Sequence, residues 1–162
     1  MITVSNSSPL ISLSAIDLLD LLPALYKTIY ITDAVYDEVV IKGSGRAGAQ
    51  RIASAAWISC HTLTDPQTAI GFRNQTKLQQ GEAEAILLAL ELGATSIILD
   101  DAPARQVAFA LSLVVTGTVG VLLAAKNNQL LSSVKRAMDD LMMAGAYIHP
   151  DLYSEVLRRA GE

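Results

Sequence analysis

The chain has 162 residues, a formal charge of −4 and 51% apolar residues, with aromatics only 5% of the total. A single domain of that length buries about 70% of the surface its unfolded chain exposes. It needs no disulfide or structural metal to hold a core, and the single cysteine, Cys60, excludes an internal disulfide and supplies no zinc-ligand spacing. A pI near 5.1 argues against nucleic-acid binding through bulk positive charge.

A phosphate ligand would therefore need a local basic patch or a bridging cation. The mean hydropathy of +0.37 is high for a monomer and points to one apolar face covered by a partner. Asp17 and Asp20 interrupt the first apolar stretch before it could span a membrane, and the lone thiol suits a reducing compartment. The expectation is a cytoplasmic protein with no membrane association and one domain over residues 1–162.

In chain order, residues 2–6 predict a buried strand, and Ser7, Ser8 and Pro9 turn into a helix carrying Leu10, Leu13 and Ile16. A second helix is expected over Asp17 to Tyr26 and a strand over Ile29 to Ile31. Thr32-Asp33 then caps a helix through Val35, Tyr36, Val39 and Val40. Residues 42–48 predict a flexible loop, Ala49 to Trp57 a helix, and Ile58 to Leu63 a strand. The polar stretch Thr64 to Gln80 is expected to be the least ordered part of the domain.

Gly81 opens a strongly helical segment stopped by Gly93. The run Ile97-Ile98-Leu99 predicts a strand ending at Asp100-Asp101, with a helix opening at Pro103. A short strand at Val114-Val115 leads to the turn Thr116-Gly117-Thr118. Helices follow over Val119 to Asn127, Val134 to Ala144 and Asp151 to Ala160, the last an amphipathic one. No internal repeat occurs. Strands alternating with helices predict an α/β fold with a short, mostly parallel sheet of four or five strands covered by helices on both faces.

Asn6, Glu38, Glu82 and the pair Asp100/Asp101 all fall at a strand end or near a helix start. In a parallel sheet those ends share one rim, so the side chains could meet there. Each has a structural reading beside the functional one. Glu82 could complement the helix macrodipole, and Asp101, two residues before Pro103, could be an N-cap. Glu38 and Asp37 could be surface charges, and Asn6 a turn former. Asp100 and Asp101 repel each other, a cost most easily offset by a cation.

SNSSPLI, ITDAVYDEVV, GEAEAILLALELG, SIILDDAPAR and VTGTVGVLLAAKNNQL, in that order over nearly the whole chain, resemble a PIN domain, more closely its VapC-like toxin subfamily. The resemblance implies a three-layer α/β/α sandwich whose acidic residues hold Mg²⁺ or Mn²⁺ and hydrolyse RNA. It also implies a small antitoxin as inhibitor, and a homodimer. Carried over by motif, the metal and catalytic centre falls on Asn6, Glu38, Glu82 and Asp101, with Asp100 an added carboxylate, and Ser8 and Thr116 are hydroxyl neighbours.

Asn6 departs from the acid that most PIN nucleases carry there, and Glu82 replaces the commoner Asp. Phosphodiester hydrolysis needs an activated water and a counterion for the phosphorus oxygens, both of which a carboxylate-held divalent metal provides. On this reading Asp101 and Glu82 hold the metal and Glu38 orients the attacking water. Arg105 and Lys126 are the candidate cations for substrate phosphates. The alternative is a PIN-like module that binds RNA or protein without cutting.

Residues 43–48, GSGRAG, fit the spacing of a dinucleotide-binding loop. The stretch before them has a helical pattern in place of a strand, which argues against that use. A phosphoacceptor receiver is disfavoured because the carboxylate pair lies late in the chain.

Overall fold

The computed structural model describes residues 1–46 and 48–162; the predicted loop over residues 42–48 therefore lies partly outside the described residues, at Ala47. Five strands form one sheet in the order β3-β2-β1-β4-β5: β1 (Thr3–Ser5), β2 (Ile29–Thr32), β3 (Ile58–His61), β4 (Ser96–Ile98) and β5 (Val115–Thr116). Every pairing is parallel, so the sheet is wholly parallel where a mostly parallel one was expected.

The chain works outward from β1 to β2 and β3, then crosses back to add β4 on the other flank of β1. The direction of winding thus reverses between β1 and β4. Crevices at such reversals, beyond the carboxyl ends of the strands, are where open α/β sheets take ligands.

Alternation along the strands divides the core. Ile97 and Leu99 face one side of the sheet and Ile98 the other, all fully buried. On one face, α1 (Ser7–Ala15), α2 (Leu21–Tyr26), α8 (Thr118–Asn127), α9 (Val134–Met143) and α10 (Pro150–Ala160) supply Leu10, Leu22, Leu122, Met138 and Val156. On the other, α5 (Pro66–Thr76), α6 (Gln80–Glu91) and α7 (Ala102–Ala110) supply Ala69, Ile86 and Ala108. Ala83, Ala85 and Ala89 let α6 lie close to the central strands. Each fully buried Leu or Ile contributes about 1.5–3 kcal/mol by leaving water.

Five local expectations are corrected. The stretch Thr64 to Gln80 contains the eleven-residue α5, started by Asp65, which accepts the Gln67 N–H at 2.9 Å, and by Pro66. Only Ala69 of that helix is buried, so it lacks the apolar stripe by which a sequence announces a helix. The helix expected from Asp17 begins at Leu21, because Asp17 has φ +57°. The helix from Ala49, α4, ends at Ala53, and β5 covers Val115–Thr116 in place of Val114-Val115. The helix from Asp33, α3 (Asp33–Tyr36), runs on as a π-helical turn over Asp37–Ile41.

Glu162 ties the helical layer together. Its carboxylate accepts the Val134 and Lys135 N–H groups at 2.8 and 3.0 Å and pairs with Lys126 at 3.1 Å. These contacts, led by the Val134 N–H, hold its carboxyl down at about 2. Glu162→Ala should cost about 1 kcal/mol as a lost helix cap, read as a lower melting temperature at pH 7. Because the folded pKa is depressed, the difference should shrink as pH falls from the ordinary glutamate range toward 2.

Candidate metal centre at the sheet's carboxyl edge

Asn6 follows β1 directly and starts α1 with an extended backbone, yet its side chain makes no cap. The residue is only 4% exposed. Its Oδ1 lies 3.5 Å from the Ser7 hydroxyl, but that hydroxyl has a single proton and donates it to Glu38 Oε2 at 2.5 Å. The buried Asn6 amide oxygen is therefore left beside a carboxylate without a good donor.

Glu38 reaches this point from the π-helical turn, a geometry frequent at functional sites. Gly43 permits the turn to end there, since a Cβ on it would collide with the Val39 carbonyl oxygen. At the start of α6, a Cβ on Gly81 would stand 3.2 Å from Asn6 Oδ1 and 3.3 Å from Glu38 Oε2. Glycine at 81 thus lets the helix pass close to both groups. The next residue, Glu82, accepts the Gln79 N–H at 3.1 Å, and Asp101 caps α7 by accepting the Ala104 N–H at 3.0 Å.

Glu38, Glu82 and Asp101 share one arrangement. Each engages a single carboxylate oxygen, and its other oxygen has no hydrogen-bond partner among the described residues. None of the three forms an ion pair among the described residues. Burial raises the Glu82 pKa, and the charges of Asp101 and Glu38 raise it further against the Gln79 hydrogen bond. Asp101 and Glu38 thus lie close enough to Glu82 to disfavour its charge. An amide oxygen and three under-used carboxylates are a hard, oxygen-only donor set suited to a divalent cation.

The site is not a closed cage. Among the described residues no three His, Cys, Asp or Glu side chains are grouped tightly enough to hold a metal by themselves.

Asp100 and Lys126 have different surroundings from these three acids. Asp100 has both oxygens engaged, Oδ1 by the Thr118 N–H at 2.7 Å and Oδ2 by the Thr118 hydroxyl at 2.6 Å. It caps α8, so its charge is taken up by that helix start and it is not among the under-used carboxylates. Lys126 lies in the last turn of α8, about 12 Å along the axis from the start that faces the site. Its ammonium is held by Glu162 and the Ser132 carbonyl. The remaining candidates, Ser8, Arg105 and Thr116, line a groove together with Asp100. Arg105 donates to the Leu99 carbonyl at 3.0 Å.

Three positions escaped the sequence reading: Ser7, which holds Glu38; Gly81; and Thr118, which holds Asp100. Gly81 carried a signal, since glycine inside a helix is unfavourable and asks for a reason. The Gly-rich stretch over residues 43–48 follows a π-helical turn and not a strand, so its context for dinucleotide binding is missing.

A family model described as a PIN domain matches residues 2–162, and the chain belongs to that family. PIN domains are generally nucleases and typically use divalent metal ions. No curated protein matches the chain. Among the described residues no helix is long and apolar enough to cross a membrane.

Glu82→Gln should raise the melting temperature at pH 7. The amide can still accept the Gln79 N–H, while the half-buried charge near Glu38 and Asp101 is gone. An acid whose pKa rises on folding loses stability as pH climbs past the ordinary glutamate range. The gain should therefore be largest at neutral pH and vanish in acid, where Glu82 is protonated in both states; calorimetry across that range checks it.

Proposed function

We propose that this PIN domain is a Mg²⁺- or Mn²⁺-dependent ribonuclease of the VapC-like subfamily, acting as the toxin of a toxin–antitoxin pair. The observation that carries the reading is the set of three under-used carboxylates gathered beside the buried Asn6 amide at the sheet's winding reversal. Glu82, Asp101 and the Asn6 amide would hold the cation. When bound, it lowers the pKa of a water and offsets charge on the phosphoryl oxygens.

Glu38, fixed by Ser7 and with its second oxygen unengaged, accepts the proton of the attacking water. The water oxygen forms the new bond to phosphorus as the bond to the leaving ribose oxygen breaks. Arg105, steadied by the Leu99 carbonyl, faces a substrate phosphate with its remaining donors. A small antitoxin protein and a second copy of the chain are the proposed partners. Exposed Met143, Tyr147 and Leu152 support a covered apolar face, and light scattering reports the oligomeric state.

The second reading, a domain that binds RNA or a protein without cutting it, is favoured by one observation. An uncharged amide stands where most PIN nucleases carry an acid, and no tight ligand cluster compensates for it among the described residues.

Cleavage of a labelled RNA pool with Mg²⁺ or Mn²⁺ separates the two. Asp101→Asn should abolish cleavage while keeping the fold, because an asparagine oxygen can still accept the Ala104 N–H. Asn6→Asp should raise activity by restoring a charge, and Glu38→Gln should lower it by about a hundredfold or more, the usual loss of a general base. Equal RNA decay by wild type and Asp101→Asn would overturn the proposal.

A further inference from the structure

The sheet has two edge strands, β3 and β5. β5 covers only Val115–Thr116, too short to receive another strand, so the open edge is that of β3. On β3 the Trp57 carbonyl accepts the Ile29 N–H at 2.9 Å, and the register sets Tyr30 against Ser59 and Thr32 against His61. In a parallel ladder of that phase, Trp57, Ser59 and His61 turn their backbone groups toward β2, while Ile58, Cys60 and Thr62 turn theirs away from the sheet.

Of the outward groups, the Ile58 N–H is taken by the Ala55 carbonyl at 3.1 Å. The Ile58 carbonyl, both backbone groups of Cys60 and the Thr62 N–H have no partner among the described residues. They form a short row centred on Cys60, with an acceptor at one end and a donor at the other. Cys60 and Thr62 are exposed, and their side chains donate to Asp33 at 3.3 and 2.6 Å, which anchors this end of the strand. The row is thus both fixed and open to water.

Sheet edges are ordinarily guarded by charged side chains, proline or a bulge. Residues 52–64 contain no Lys, Arg, Asp, Glu or Pro in a chain that is 17% charged, and the register with β2 runs unbroken from Ile58 to His61. Such an edge invites another strand. Turned end over end, the row is its own complement: Cys60 N–H meets the carbonyl of the partner's Cys60, and Thr62 N–H meets the carbonyl of the partner's Ile58. A closed two-fold interface requires this self-complementarity, and with no charge along the strand no like charges meet across the axis.

We propose that β3 pairs antiparallel with β3 of a second copy about Cys60, joining two five-stranded sheets into one. This deepens the second-copy partner named above and does not depend on the cleavage reading. It places the second copy at the sheet edge and leaves the apolar face at Met143, Tyr147 and Leu152 to a different protein. Because the paired strands run in opposite directions, the two acid clusters open on opposite sides of the joined sheet. The bonds are few and the strand is short, so the dimer dissociates on dilution.

Sedimentation velocity of the full chain under reducing conditions should show dimer at about 0.5 mM, well above the micromolar constants of ordinary interfaces, and monomer on dilution. Cys60→Pro removes the central outward N–H and spares every bond to β2, a position where an edge strand accepts proline. It should be monomeric throughout, with native far-UV circular dichroism and RNA cleavage per chain equal to wild type. Cys60→Ser should dimerise like wild type, since no disulfide is involved.

If proline unfolds the chain, wild type carries the test. Amide exchange at Cys60 and Thr62 should slow by about tenfold between dilute and concentrated samples, as for amides left open one-tenth of the time. A wild-type monomer at the highest concentration, a dimer that survives in folded Cys60→Pro, or one that Cys60→Ser or Tyr147→Ala dissolves would overturn the proposal. So would exchange independent of concentration. A monomer would leave the ribonuclease reading standing, and an inactive dimer would leave the strand pairing standing.

Discussion

Carboxylates brought to one edge of a sheet repel each other, and the protein offsets this with backbone N–H groups. Helices that follow parallel strands begin at the strands' carboxyl ends, so their N-termini converge on the same edge, with their unpaired donors and the positive end of their dipoles. α7 and α8 follow β4 and β5 in this way, with Asp101 at the start of α7 and Asp100 at the start of α8, and Glu82 sits at the start of α6, which follows α5. The compensation is incomplete at Glu82, where burial and the neighbouring acids still disfavour the charge. That residual strain is what a bound divalent cation would relieve.

The same edge separates neighbours in the chain. Ser7 and Ser8 turn to different surroundings, and so do Asp100 and Asp101. One member of each pair belongs to the acid cluster and the other to the adjoining groove. Asp100 supports the groove by fixing the start of α8. Gly117 belongs to the same device, because a Cβ there would lie 2.9 Å from both Arg105 Nη1 and Asp100 Oδ1.

Several departures from regular local structure serve the cluster. The π-helical turn carries Glu38 to Ser7, and Gly43 allows that turn to end against the Val39 carbonyl. Gly81 occupies the first turn of α6, where alanine would favour the helix more, and by lacking a side chain it admits Asn6 and Glu38. Asn6 itself occupies a cap position without capping. Each of these positions gives up some local stability to bring oxygen atoms together.

From the sequence alone, the alternation of strands and helices, the acids at their junctions and the apolar faces could be read, because each depends on periodicity within a few residues. The helix α5 was missed since a nearly unburied helix has no such period, although Asp65 and Pro66 marked its start. Which end of α8 faces the acids, and hence how far Lys126 lies from them, is not carried by a sequence motif. Tertiary structure alone decided that β1 lies between β2 and β4, that Asp101 joins the acids while Asp100 caps a helix, and that Tyr147 shares a groove with Arg105. Those outcomes depend on crossovers and packing between segments far apart in the chain, for which local residue spacing carries no information.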